Sequence, residues 1–315
     1  MGDERKGLSR RAVMLAAAAV GLTGCDVRTA FGGGGPRVSR PRTPTSPPPP
    51  PPELPRGGRT IFPGHRLFGY CGSPAGKALG QLGIGDLDQE VTTMLQRMPD
   101  WAAGEKVLPM MELIATIALA APGADGRYRG RIAESAIETW LKCARAHRTM
   151  LVLNLQPGRA TFLDEVTHYE RWLREPDVGL ALDPEWAVGP EQVPGKVFGH
   201  TTGDEINEVA QWLSRVVRQH DLPQKPLIYH ILRPSIISDE AALTSHPGIA
   251  LVKSVDGIGG AADKEQTYRE VMRGTPATAH AGFKLFFQED AAQGPLMTPS
   301  QVLALVPRPD YVVYE

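Results

Sequence analysis

From residue 59 onward the chain carries eight apolar runs bounded by turn-forming residues: Leu67–Cys71, Val107–Ile114, Met150–Leu155, Val178–Leu182, Leu227–Leu232, Ile249–Val255, Gly282–Phe287 and Tyr311–Tyr314. Helical spacing fills most of the gaps. Ile137, Trp140, Leu141 and Ala144 mark one helix over 133–145, and others are predicted over 162–173, 205–220 and 263–272. Thr298-Pro299-Ser300-Gln301 reads as a capped, proline-started last helix. Eight strands alternating with helices specify an α/β chain, a (β/α)8 TIM-type barrel rather than an open sheet. The usual last helix is expected to be absent, because the sequence stops on the eighth run. Residues 59–315 leave roughly 250 residues for one large core. Only the stretches 73–98 and 115–132 give no clean pattern.

The first part of the chain is of a different kind. Ser9-Arg10-Arg11-Ala12-Val13-Met14-Leu15 has the form of a twin-arginine export signal. The apolar run Leu15–Leu22 that follows is far shorter than the roughly 20 residues needed to span a bilayer. Leu22-Thr23-Gly24-Cys25 is similar to the bacterial lipoprotein box, which implies lipidation of Cys25 after cleavage. Residues 1–25 are therefore expected to be a lipoprotein signal peptide. The protein would be exported and held on the outer face of the cytoplasmic membrane by the lipid on Cys25. Residues 26–58, with Gly32–Gly35 and the proline run Pro47–Pro52, are expected to form a disordered, partly extended linker. Five arginines against two acids give that linker a charge suited to an anionic envelope surface.

A formal net charge of −1 gives no sign of a nucleic-acid partner. The three cysteines show no metal-ligand spacing or disulfide framework. Cys71 and Cys143 are expected to be unpaired, though an exported protein could join them.

The stretch Val178–Trp186 carries the strongest chemical signal. Strand alternation puts Leu180 and Leu182 on one face, and Gly179, Ala181, Asp183 and Glu185 on the other. Small residues followed by two carboxylates suit the inner face and C-terminal rim of a parallel barrel. The same parity turns Glu112, Asn154, Gln156, His230, Asp256, Lys284, Gln288 and Asp290 inward. Tyr70 stands at the end of the first strand and Trp186 at the rim of the fourth. Burying so many unpaired polar groups would lose several kcal/mol each, so the set reads as a site. Two nearby acids push their pKa values apart, so that one can donate a proton while the other stays charged.

The apolar run ending in Asp183-x-Glu185 resembles the fourth-strand Asp-x-Glu of barrel glycoside hydrolases, such as the chitinase-like enzymes and the Chalaropsis-type lysozymes. The resemblance implies Glu185 as proton donor and Asp183 as its partner. It covers under ten residues beyond the barrel pattern. Those lysozymes carry an acid at the end of strand one, where this chain has Tyr70-Cys71-Gly72-Ser73, and the longer aspartate run of the chitinases is missing.

The expected activity is a surface-anchored glycosidase acting on envelope polysaccharide or a glycoconjugate. Its catalytic residues would be Glu185, Asp183, Asp256 and Glu112. Asn154, Gln156, Trp186, His230, Lys284, Gln288, Asp290 and Tyr70 would contact substrate. The chain is expected to act as a monomer on a carbohydrate partner. No strand–GxGxxG–helix unit and no His-x-His pair is present, so neither cofactor nor metal is expected. A non-catalytic sugar-binding lipoprotein and a metal-dependent phosphodiesterase or deacetylase barrel are the competing readings.

Overall fold

A computed structural model describes residues 50–315. The expected export signal, Cys25 and the expected linker up to residue 49 lie outside the described residues. Eight parallel strands close on themselves: β1 (His65–Gly72), β2 (Lys106–Ala118), β3 (Met150–Leu155), β4 (Val178–Leu182), β5 (Lys225–Ile231), β6 (Ile249–Val255), β7 (His280–Leu285) and β8 (Tyr311–Tyr314). Each pairs with the next, and β8 pairs with β1 from Leu67↔Tyr311 to Tyr70↔Tyr314, leaving no free edge in the barrel. All eight apolar runs of the sequence are these strands. β2 runs beyond the predicted end and adds an antiparallel partner, Arg129–Arg131.

The helices are α1 (Leu87–Arg97), α2 (Glu134–Ala146), α3 (Phe162–His168), α4 (Glu170–Leu173), α5 (Gly203–Gln219), α6 (Ala261–Val271) and α7 (Pro299–Leu303). α1 fills the stretch that gave no clean pattern, with Asp86 capping Gln89 N–H at its start. α5 opens on a capping box of Thr202 and Glu205, and α7 on the expected one of Thr298 and Gln301. No α-helix joins β5 to β6; the connection is made of short 3-10 turns at Pro234–Ile236 and Glu240–Ala242. A two-residue parallel pair, Thr201–Thr202 with Ile237–Ser238, ties that connection to the β4–α5 loop. None of the described helices is long and apolar enough to cross a membrane.

Two apolar layers follow from the strand alternation. The outer one lies between strands and helices and holds Leu180, Leu182, Leu227, Tyr229 and the Ile137–Trp140–Leu141–Ala144 face of α2. The inner one fills the lower barrel with Leu67, Cys71, Leu108, Met110, Met150, Val152, Ala181, Ile228, Val252 and Val313. The interior is narrow where β4 meets β5. A Cβ on Gly179 would stand 2.5 Å from the Pro226 ring, so the small inner residues of β4 are a packing requirement.

The expected linker boundary at residue 58 is moved by the packing. Leu54, Ile61 and Phe62 are buried in the inner layer, so the chain before β1 plugs the barrel from below. Gln224 Oε1, just before β5, accepts from the N–H groups of Ile61 and Phe62, and the Phe62 ring stacks 4.1 Å from His280 at the start of β7. The prolines around Leu54 do not prevent this, because one buried leucine and a turn closed by Gly57 N–H to Leu54 O suffice to fix the strap.

Cys71 is enclosed in the barrel and Cys143 sits on α2 outside it; both are free thiols.

The antiparallel extension is held by a buried carboxylate. Glu165 of α3 is fully buried and accepts from Arg129 and from both Nε (2.9 Å) and Nη2 (2.9 Å) of Arg131. Removing one partner of such a pair strands charge in a poorly solvated place. Glu165→Gln is expected to leave the barrel assembled but lower its stability in urea unfolding by about 3 kcal/mol. A change below about 1 kcal/mol would mean that the cluster behaves like an exposed ion pair.

Candidate active site

Above the apolar layer the barrel interior turns polar. Glu112 (β2), Asn154 (β3), His230 (β5), Ser254 (β6) and Lys284 (β7) point inward, with Asp183 and Asp256 in the first position beyond β4 and β6. These groups lie towards the C-terminal ends of their strands, where barrel active sites are built.

The contacts form one connected network. Asn154 Nδ2 donates to Glu112 Oε1 at 2.8 Å and to Asp183 Oδ1 at 3.0 Å. Gln156 Nε2 donates to Asp183 Oδ2 at 3.1 Å, so each oxygen of Asp183 meets an amide. His230 stands between two acids. Its Nδ1 lies 2.8 Å from Asp256 Oδ2, and its Nε2 lies 3.1 Å from Glu112 Oε1 without hydrogen-bond alignment. Ser254 donates to Asp256, and the Tyr311 hydroxyl donates to Glu112. Lys284 Nζ lies 3.3 Å from Asp256 Oδ2 and 2.5 Å from Glu315 Oε2.

These contacts set the charges. Burial would push His230 down, but Asp256 and Glu112 raise it well above the ordinary histidine value. Burial likewise opposes the charge on Lys284, and Glu315 and Asp256 overrule it, again raising the value well above normal. Burial alone would lift Glu112 and Asp256; the imidazolium of His230 and the ammonium of Lys284 hold both below the usual carboxylate range. Asp183 goes the other way. Burial raises it, and His230 and Lys284 only partly offset that.

Glu185 departs from the expected geometry. β4 ends at Leu182, and Pro184–Trp186 form a 3-10 turn, so Glu185 is not the next inward position of the strand. It still faces the network. Its residue is half-buried, but Oε2 is sealed from solvent and has no hydrogen-bond partner among the described residues. Burial, then the charges of Asp183 and Asp256, raise it well above the glutamate range. After burial, the charge of Asp183 is the largest influence on Glu185, which links the two acids electrostatically. The amides of Asn154 and Gln156 favour the charged form of Asp183, whereas no donor among the described residues meets Glu185 Oε2.

Glu185 also lines a pocket of ≈ 120 Å³ with Trp186, Gly195, Lys196, Val197 and Phe198. The β4–α5 loop is folded back on the Glu185 turn by Gly199 N–H to Glu185 O at 2.6 Å. A Cβ at Gly199 would run into the Ala187 backbone at 2.4 Å, so this close approach depends on glycine. Phe198 is 53% exposed, an unusual position for a ring, and Arg233 from the β5–β6 connection lies 4.1 Å over its face.

Three sequence-derived candidates fall elsewhere. Tyr70 lies on the outer face of β1, packed against Tyr314 and Phe287. Both faces of that strand are apolar, so its parity was not legible. Gln288 is exposed, because β7 ends at Leu285 and the alternation stops there. Asp290 is buried, with its oxygens taken by the N–H groups of Gly259 and Phe286 and by Lys264 at 2.9 Å. It clamps the β6–α6 loop to the β7 turn. Tyr311 and Glu315 were missed. The alternation of Tyr311 with Val313 on the inner face of β8 was the available signal for the first; the second needed the partner Lys284.

The network has a measurable signature. A folded-state value above the unfolded one means that the His230 pairs stabilise fully below about pH 6.5, and the stabilisation is lost as pH rises through the elevated value. Glu112 and Asp256 act conversely: their contribution is present above about pH 4 and is lost as pH falls through their depressed values. NMR of the imidazole is expected to show His230 protonated at neutral pH, with Asp256→Asn moving its titration down. A neutral His230 in the wild type at pH 7 would contradict the charge assignment.

The chain matches no protein-family model and no curated protein, so function rests on the geometry of this site.

Proposed function

We propose that the barrel is a glycoside hydrolase with Glu185 as general acid and Asp183 as its charged partner. The observation that carries this reading is the pairing at the mouth: a carboxyl that burial and acidic neighbours raise well above the glutamate range, beside an acid whose two oxygens each accept from an amide. Cleavage of a glycosidic bond needs a proton delivered to the leaving oxygen and a negative charge facing the positive charge that develops on the sugar ring. Oε2 of Glu185 is held by no hydrogen bond among the described residues, so a turn of the side chain towards the pocket that it lines would bring the carboxyl to a substrate oxygen without breaking a contact of that atom. Trp186 and the exposed Phe198 offer flat apolar faces for sugar rings beside it. His230 and Lys284 then act at a distance, keeping Glu112 and Asp256 ionised so that the mouth does not collect further protons.

A metal-dependent hydrolase is less well supported. Both nitrogens of His230 face carboxylates, and Lys284 already places a cation against Asp256. The export signal and Cys25 support a lipid-anchored enzyme working on the cell envelope or on extracellular polysaccharide.

Glu185→Gln and Asp183→Asn are expected to fold normally and to lose roughly 10²–10⁴-fold in kcat on envelope glycans, the span of general acid–base catalysis. The wild-type alkaline limb of kcat/KM reports loss of the Glu185 proton and is expected to lie well above the ordinary glutamate value of about 4.3. Unchanged turnover in either variant would refute the assignment. Saturable glycan binding with no turnover by the wild type would point to a binding protein instead.

Phe198→Ala is expected to raise KM by about 2–10-fold with kcat retained, in keeping with a lost aromatic contact of about 0.5–1.5 kcal/mol. An unchanged KM would remove Phe198 from the substrate path.

A further inference from the structure

Away from the barrel mouth, one more set of chemically able side chains converges. Cys143 and His147 stand one turn apart at the end of α2, so a Cys-x3-His spacing puts thiol and imidazole on one helix face. Asp88, in the first turn of α1, reaches that face from the neighbouring helix. Its Oδ1 lies 2.7 Å from His147 Nε2. One donor atom from each of the three residues lies within 4.8 Å of the other two. All three are accessible: Asp88 is exposed, and Cys143 and His147 are half-buried.

We propose that Asp88, Cys143 and His147 bind a zinc-class divalent cation that braces α1 against α2. Thiolate and imidazole are the donors that zinc prefers, and a carboxylate is a common third. Two ligands at helical i,i+4 spacing with a third from an adjacent helix leave the fourth tetrahedral position to water. On binding, the thiol proton of Cys143 goes to solvent, the proton that His147 Nε2 shares with Asp88 is given up as the neutral imidazole takes its Nδ1–H tautomer, and the cation replaces that contact between the two freed donor atoms. The thiolate and the Asp88 carboxylate then balance the two charges of the cation. A search for paired cysteines misses this set, because its spacing is that of a helix face shared by unlike ligands.

The test uses the full chain, stripped with a chelator and titrated with Zn²⁺ or Co²⁺. The wild type is expected to take up one zinc, to melt at higher temperature with zinc present, and to give a thiolate-to-cobalt charge-transfer band. Cys143→Ser and His147→Gln are expected to lose the band and to weaken zinc binding by at least about 10–100-fold, the effect of losing even an outer-shell partner. Their circular dichroism should match the wild type. Glu185→Gln should keep the band, which separates this set from the acids of the barrel. Zinc binding equal in the wild type and Cys143→Ser, or a cobalt spectrum without a thiolate band, would overturn the proposal.

Discussion

Two cations buried among acids hold the upper half of this barrel together. His230 and Lys284 are both fully enclosed, and neither could stay charged there without Glu112, Asp256 and Glu315 around it. The acids in turn could not stay ionised without the cations. Every one of these groups sits on a different strand or just beyond one, so closing the barrel and satisfying the charges are one event. Once that balance is struck, Asp183 has amides for its direct hydrogen-bond partners, and Oε2 of Glu185 has none among the described residues. The raised carboxyl of Glu185 is a by-product of burial beside acids, one of which, Asp256, the cations keep charged.

Much of this was legible in the sequence because strand alternation is rigid inside a strand. Glu112, Asn154, His230, Asp256 and Lys284 were all turned inward by parity, and all are found there. The rule still holds one residue past a strand, as at Gln156, Asp183 and Asp256, and fails further out. Glu185, Gln288 and Asp290 follow the last strand residue, and backbone turns set their directions. Tyr70 fails for another reason: a strand apolar on both faces carries no parity signal. Contacts between distant elements left no mark in either pattern, as with Glu165 and its two arginines or Lys284 and Glu315, which only the closed fold brings together.

The connection between β5 and β6 shows how the fold and the mouth share one device. Without a covering helix, that segment is stitched to the β4–α5 loop by the short strand pair at Thr201–Thr202 and Ile237–Ser238. Lys253, on the outer side of β6, adds a further tie by donating to Glu240 at 2.8 Å. The loop that carries Phe198 therefore has a fixed neighbour, and Arg233 over the ring is part of the same contact.

The strap formed by Leu54, Ile61 and Phe62 also gives the barrel two unlike ends. It closes the end where the strands begin. Glu185 and Trp186 stand at the opposite end. A barrel stoppered at one end by its own chain works like a flask, filled and emptied through the neck at the other.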